Sequence, residues 1–328
     1  MNLVVGHLLH GPPQHGVVEY AARVLTELQR HRPTDHRTVS TLDGSALGLD
    51  AMHVHFTDRL FGDRADRSAS RFAAAAASFG VPLSVTLHDV PQPSDGDGRH
   101  RRADAYVRVA NLASAVVVSS EHEKALLGDI MDVSDVEVIP LAVDVGTVPA
   151  TAHTRLDVAM LGYLYPGKGH EEVLRALESL DSAVGFVDLG APSDGHEDLA
   201  THLADIARGM NRRFEITGYL PDADLAALQR SVAVPIAHHR HMSASASIAS
   251  WIGAGRRPLL PRTRYTDEIA ARSPGTVQLF DDTPRGLVEA IESALSAPET
   301  TWISDGVRAH PSLTDVALDY QQLFDRCF

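Results

Sequence analysis

LDVAMLGYLYPGKGHEEVLRALESL, residues 156–180, decides the fold. A short apolar run leads into a glycine-punctuated turn, and from 169 to 180 apolar residues recur every three or four positions. That is the signature of a β-strand, a tight loop and an amphipathic helix. Gly162 to Lys168 also fits G-x-x-x-x-G-K, but Gly169 stands where a nucleoside-triphosphate loop needs the Ser or Thr hydroxyl that holds Mg²⁺, which argues against an NTPase. Lys168, in the first turn of a helix at the C-terminal end of a strand, is placed to join backbone N–H groups in holding a phosphate. The alternative is a solvated lysine in a Gly-rich turn.

The same unit repeats in both directions from this stretch. Upstream, LVV (3–5) leads into an amphipathic helix over 16–31. MHVHF, PLSVTLH, AVVVSS and VEVIP follow as strands, separated by helical patterns at 64–79, 100–112 and 121–129. Downstream, GFVDLG (185–190), FEITG (214–218), VAVPIA (232–237) and RPLLP (257–261) read as strands, with helices at 195–209, 222–230, 244–254 and 284–295. Alternating β and α elements imply parallel sheets covered by helices. Between the two runs, VGTVPATAHTR has no periodicity and reads as a linker. The expected fold class is therefore α/β, with two Rossmann-like, doubly wound domains facing a central cleft. Ligands of such sheets bind beyond the C-terminal ends of the strands.

Composition bounds the function. At 328 residues, 44% hydrophobic and 22% charged, the chain is long enough for two domains of about 150 residues. Its formal charge of -14 argues against general binding to a nucleic-acid backbone. No apolar run approaches the roughly 18–20 residues that span a bilayer, so at most peripheral membrane contact is expected. The N-terminus lacks the basic start and small-residue cleavage site of a secretory signal. The single cysteine, Cys327, suits a reducing compartment, and a cytoplasmic location is expected.

Against that acidic background, residues 225–266 contain no Asp or Glu but six Arg: Arg230, Arg240, Arg256, Arg257, Arg262 and Arg264. A diphosphate site gains from the absence of nearby carboxylates. The bland reading is that these arginines pair with acids elsewhere on the surface. Ser243, Ser245 and Ser247 lie at the start of the 244–254 helix, where unpaired amides and the dipole favour an anion. They equally suit a helix cap with a small-residue packing face, and Ser250 suits packing too. His238, His239 and His241 are too tightly packed on a loop for a zinc site, so no metal is expected. His88, ending the strand PLSVTLH, has a better reason to be polar at the ligand end of the sheet. His7, His10 and His15 read as solvated loop residues.

In order and spacing, MHVHF, TLHD, AVVVSSEHE, VEVIPLAVD, LGYLYPGKGHEEVLRAL, ITGYLPDADLAALQRS, VAVPIA and WIGAGRRPLL resemble the retaining GT-B glycosyltransferases of family 4 over nearly the whole chain. The resemblance implies an acceptor-side domain over 1–146, a nucleotide-sugar-binding domain over 147–312, and a closing helix over 313–328 that crosses back onto the first domain. It implies a UDP- or GDP-sugar donor, an acceptor it does not name, no metal and no cofactor. Gly16 corresponds to the first-strand loop near donor phosphate and acceptor, His88 to the position near the transferred sugar, and Lys168 to the phosphate-binding lysine. Tyr219 and Leu220 fall where backbone atoms meet the nucleobase. Arg240 joins Lys168 as a donor contact.

Two departures stand out. Tyr163, also on the donor side, replaces the arginine that often follows the loop glycine. The family's pair of glutamates separated by seven residues is missing: counting back from Gly255 gives Met242 and Ser250, and counting forward from Pro235 gives His239 and Ser247. The expected function is transfer of a sugar, a hexose by resemblance, with retention of configuration. The alternative is a non-catalytic GT-B protein that binds a sugar nucleotide or a partner. A sugar-nucleotide epimerase is disfavoured, because epimerases of this fold use several acids at the cleft.

Overall fold

The computed structural model describes residues 3–44, 48–146, 152–240 and 244–328. The chain divides into two compact units, Met1–Ala142 with Pro311–Phe328, and Val143–His310.

In the first unit, six parallel strands form one sheet: β1 (Val5–Leu8), β2 (His36–Val39), β3 (Ala51–Phe56), β4 (Leu83–Leu87), β5 (Ala115–Val118) and β6 (Val136–Val138). Their order is β2-β1-β3-β4-β5-β6, so the direction of winding reverses between β1 and β3. Helix α1 (Gly16–His31) buries Val18, Ala21, Val24, Leu25 and Leu28, one stripe at helical spacing, and carries Arg30 and His31 in the last turn, where cations suit the dipole. Short α2 (Asp58–Phe61) precedes α3 (Ala65–Phe79), which stops at Gly80 in the left-handed conformation. Helices α4 (Arg99–Ala110) and α5 (Glu121–Gly128) complete the crossovers. Strands β3, β4 and β5 are buried at every position, as parallel strands covered on both faces must be.

Two elements here escape the sequence reading. β2, HRTV, is an edge strand with two exposed residues and no apolar run, and α2 is a single turn. β1 sits later than LVV because Gly6 and His7 belong to it. A side chain at Gly6 would collide with Leu49 and Met52, so a residue that looks like a strand breaker is the one that fits.

The second unit has a parallel four-stranded sheet in the order β10-β7-β8-β9: β7 (Arg155–Leu161), β8 (Gly185–Leu189), β9 (Phe214–Ile216) and β10 (Val232–Pro235). β11 (Leu259–Pro261) and β12 (Gln278–Phe280) form a parallel pair, joined to the extension of β10 by the bridge Ile236–Leu259. Read through that bridge, the order is the doubly wound 3-2-1-4-5-6, with its reversal between β7 and β10. The helices are α6 (His170–Ala176), continued by a 3₁₀ turn over Leu177–Ser179, α7 (Glu197–Gly209), α8 (Asp222–Ser231), α9 (Ala246–Gly253), α10 (Arg264–Arg272) and α11 (Pro284–Ser296). α10 and β12 are the elements the sequence does not announce. α10 buries only Tyr265, Thr266 and Ile269, and it is set instead by the capping box of Thr263 and Thr266.

Arg256 departs from the reading in which the arginines of the carboxylate-free window pair with acids. Its side chain is wholly buried and donates to the carbonyls of Gln229, Val232, Ala233 and Thr301 and to the Thr301 hydroxyl, at 2.8–3.2 Å. The guanidinium lies 4.4 Å from the centre of the Trp302 ring. Burial, reinforced by Arg230, pushes its pKa down to about 9, which leaves it charged at neutral pH. Arg257 likewise bonds a carbonyl, that of Val277, whereas Arg262 pairs with Asp267, just past the window. Backbone oxygens at the end of α8 and the start of β10 thus do the work of a carboxylate.

The last helix, α12 (Leu313–Cys327), starts in a capping box of Ser312 and Asp315 and belongs to the first unit. It packs along α1 and buries Val316, Ala317, Tyr320, Leu323 and Phe324 with Val5, Val24, Leu28 and Ala51. No helix among the described residues is long and apolar enough to cross a membrane.

Candidate functional site

Each unit has one point of strand-order reversal, where the loops from neighbouring strands leave in opposite directions and open a crevice. In the second unit the loops after β7 and β10 meet there. The β7 loop is Gly162–Gly169, and Gly162, Gly167 and Gly169 all have positive φ, between 89° and 100°. Any side chain at Gly169 would run into the backbone of His238, and one at Gly190 into the carbonyl of Gly162, so the loops after β7, β8 and β10 interlock only with glycine at these positions. Arg240 N–H donates to Gly167 O at 3.0 Å, which closes the lock.

Lys168 is buried, only 3% exposed, between these loops. Its Nζ donates to the Tyr163 carbonyl at 2.7 Å and lies 5.7 Å from the centre of the Tyr165 ring. Burial pushes its pKa down to about 8, partly offset by the negative charge of Asp188. Asp188 on β8 accepts from His170 Nε2 at 3.0 Å. Among the described residues, the buried His170 Nδ1, Asp188 Oδ2, His238 Nδ1 and His239 Nε2 have no hydrogen-bond partner. His239 is held down to about 3 by burial and then by Lys168, His170 and His238, so it is neutral. The sequence reading missed His170, Asp188 and His239 as members of this cluster. The surroundings of Lys168 are also not carboxylate-free: Glu172 pairs with Arg240, and Asp188 acts on Lys168. Both acids come from outside residues 225–266, and a window of sequence does not report what the fold brings beside it.

Helix α9 begins at Ala246, two residues later than its periodicity suggests, because Ser245 is extended and caps it, accepting from Ile248 N–H at 3.4 Å. Ser245 also shares a 2.9 Å hydrogen bond with the half-buried Ser247, and its N–H donates to Tyr265 OH. Ser250 accepts from Gln229 and is structural. Ser243, together with His241 and Met242, lies outside the described residues. Tyr163 and Tyr219 are exposed, Tyr219 by 77%, and Leu220 is half-buried in the turn that follows Gly218.

At the reversal of the first unit, His15 caps α1 through Nδ1, and Gly16 opens the helix with empty space where a side chain would point. His88 follows β4 and is buried. Its Nε2 lies 2.9 Å from His55 Nδ1, with the rings stacked, and Tyr106 OH donates to its carbonyl. Burial holds His88 down to about 4, against the pull of Asp89 and helped by the proximity of His15. Asp89 takes a positive φ of 53° and accepts from Thr57. His55 went unread as a site residue, although its place two residues after His53 in a strand puts both on one face. His7, read as solvated, is buried in β1. No group of three or more His, Cys, Asp or Glu among the described residues could hold a metal ion.

The fold is that of the GT-B glycosyltransferases. No protein-family model matches the sequence, and no curated protein sequence matches it. Solved structures do. The chain superposes on Anabaena HepE, crystallised with UDP and glucose, at a TM-score of 0.70 and 14% identity, covering 100% of this chain and 96% of that one. Sucrose-phosphate synthase from Thermosynechococcus elongatus gives 0.69 at 14% identity over 99% of each chain. The lipopolysaccharide outer core galactosyltransferase WaaB gives 0.64 at 11% identity over 98% of this chain and 99% of its own.

Proposed function

We propose that the protein is a glycosyltransferase that moves a hexose from a UDP- or GDP-sugar to an acceptor hydroxyl with retention, as a divergent family 4 member that needs no metal and works in the cytoplasm. The observation that carries this reading is Lys168: a buried ammonium with one hydrogen-bond partner among the described residues, set among three left-handed glycines where the strand order reverses. Such a group suits the diphosphate that a departing nucleotide leaves behind. The fold likeness to enzymes solved with UDP or UDP-glucose supports the donor class.

In this reading the bond between the sugar's anomeric carbon and the β-phosphate oxygen breaks first. Positive charge grows on the sugar and negative charge on the phosphate. Lys168, the first amides of α9, and the hydroxyls of Ser243, Ser245 and Ser247 stabilise the phosphate, with Arg240 at its edge. The acceptor oxygen attacks from the face the phosphate leaves and passes its proton to the phosphate oxygen. His88 lies toward the transferred sugar and Gly16 lets the backbone approach it. Tyr163, Tyr219 and Leu220 meet the nucleotide.

A second reading, a non-catalytic sugar-nucleotide binder, is favoured by the absence of any carboxylate in residues 225–266, where relatives of this type carry two. A panel of nucleotide sugars, read by thermal shift and by hydrolysis without acceptor, separates the two. Stabilisation with hydrolysis supports the enzyme. Stabilisation with neither hydrolysis nor transfer supports the binder, and no stabilisation by any of them refutes both.

A further inference from the structure

One face of the first unit's sheet is lined with histidine. His7 on β1, His36 on β2, and His53 and His55 on β3 are all buried. His7 lies opposite His53 across the β1–β3 ladder, and Val5, which shares the face of His7, lies opposite His36. Period-2 alternation therefore puts all four on the same side. α12 covers this side: the Phe324 ring lies 5.6 Å from the ring of His7, 5.2 Å from that of His53 and 6.0 Å from that of His36.

The polar contacts run in one direction. Gln321 Nε2 donates to Asp325 at 2.8 Å, which leaves Gln321 Oε1 to accept from His36 Nε2, also at 2.8 Å. His36 therefore carries its proton on Nε2, and its bare Nδ1 accepts from His7 Nε2–H at 3.0 Å. A proton added to His36 Nδ1 reverses this bond and forces His7 into its other tautomer, and protons on both rings set two donors face to face. His53 bonds Ser84 and Thr86, and Thr86 in turn bonds Tyr320 OH of α12. The His55–His88 pair likewise needs one unprotonated nitrogen.

Few charges face this layer. Asp35, Arg32 and Asp325 act on His36, and Arg32 and Asp325 are themselves paired at 3.4 Å. From α1, Tyr20 faces His55 and His88, while the Glu27 carboxylate is occupied by Thr314, Arg30 and His31. From α5, Glu123 acts on Tyr320, and at the end of β4 Asp89 and His15 act on His88. His7 bonds His36, His53 bonds Ser84 and Thr86, and His55 bonds His88, none of them a carboxylate. Burial first, and neighbouring histidines second, hold all three below the ordinary histidine range, His53 down to about 3.

We propose that α12 is an acid-released cover, docked on the first unit's sheet while its histidines are neutral and lifted when that face takes up protons. Like charges on rings 5–6 Å apart in an apolar layer are relieved by admitting water. α12 is the element that can move, since the strands are held by their ladders and by the separate apolar cluster on their other face. The inference is independent of the transfer reaction.

Hydrogen exchange of the full chain at about pH 7.5 and about pH 5.5, on either side of the ordinary histidine value and corrected for the intrinsic rate, tests it. Exchange over 313–327 should rise by more than about tenfold relative to β4 and β5 on acidification, since each histidine that is neutral when covered and takes its ordinary value when exposed contributes about tenfold across this pH interval. In His53→Gln, and in the double variant His7→Gln with His36→Gln, the acid-induced rise should shrink, because the amide bonds but does not titrate. Unchanged protection of α12 in the wild-type protein, its loss in step with β4 and β5, or variants as acid-sensitive as wild type would each overturn the proposal.

Discussion

The ammonium of Lys168 is held 2.7 Å from the carbonyl oxygen of Tyr163, five residues earlier in the same loop. The loop thus folds back on its own lysine, and the lysine's remaining donors are kept in a buried, glycine-walled space. Replacing it tests the donor site directly. Lys168→Ala should lower any transfer rate by about 10² to 10³, the usual loss for one preorganised charge-stabilising donor, and weaken binding of UDP or GDP. Isothermal titration of the variant that returns wild-type affinity would place Lys168 outside the site.

The same lysine sets a pH dependence. With its pKa pushed down to about 8, it is mostly charged below pH 8 and neutral above it. A diphosphate binds the charged form, so affinity should be flat at neutral pH and fall by up to about tenfold per unit above pH 8. Lys168→Arg, which stays charged, should flatten that limb. A wild-type affinity that is constant from pH 7 to about pH 9.5 contradicts the assignment.

The serines divide by role. Ser245 caps α9, so Ser245→Ala should cost about 1 kcal/mol of stability as well as any binding. Ser247 is not the cap; Ser247→Ala should leave stability within about 0.5 kcal/mol and cost about 0.5–1.5 kcal/mol of diphosphate binding, or up to about 3 if the hydroxyl meets a charged oxygen. Urea unfolding beside titration with UDP separates the two effects. A crystal soaked with nucleoside diphosphate whose phosphates lie away from the start of α9 refutes the role of both.

Arg256→Met should be among the most destabilising single changes. It takes the guanidinium donors away from the carbonyls of Gln229, Val232 and Ala233 in a dry environment, while Thr301 O keeps the Arg257 N–H, a loss of about 3–5 kcal/mol. Denaturant unfolding checks this, and a change below about 1 kcal/mol would show that the surrounding backbone finds other partners.

Much of the architecture was legible in the sequence, because apolar periodicity reports burial and burial sets the layers. The strands of LDVAMLG, GFVDLG and AVVVSS and the stripe of α1 are of this kind. β2, α10 and β12 were not legible. β2 is a polar edge strand fixed by pairing with β1, α10 is held by its cap more than by an apolar stripe, and β12 is three residues long. In the candidate site, the sequence placed Lys168 and His88 at strand ends. It did not disclose that Asp188 and Glu172 stand beside the basic loop, or that His88 is bonded to His55.

The difference has a physical origin. Alternation of strand and helix, the glycines that turn the 162–169 loop, and the serine that caps α9 are local properties, each set by the conformational limits of a few consecutive residues. Which groups share a buried space is a long-range property of strand order. Only the folded chain decides that Arg256 answers to carbonyls instead of carboxylates, that Asp188 tempers Lys168, and that four histidines from three strands meet beneath Tyr320 and Phe324, because burial removes water and leaves each polar atom to whatever partner the fold delivers.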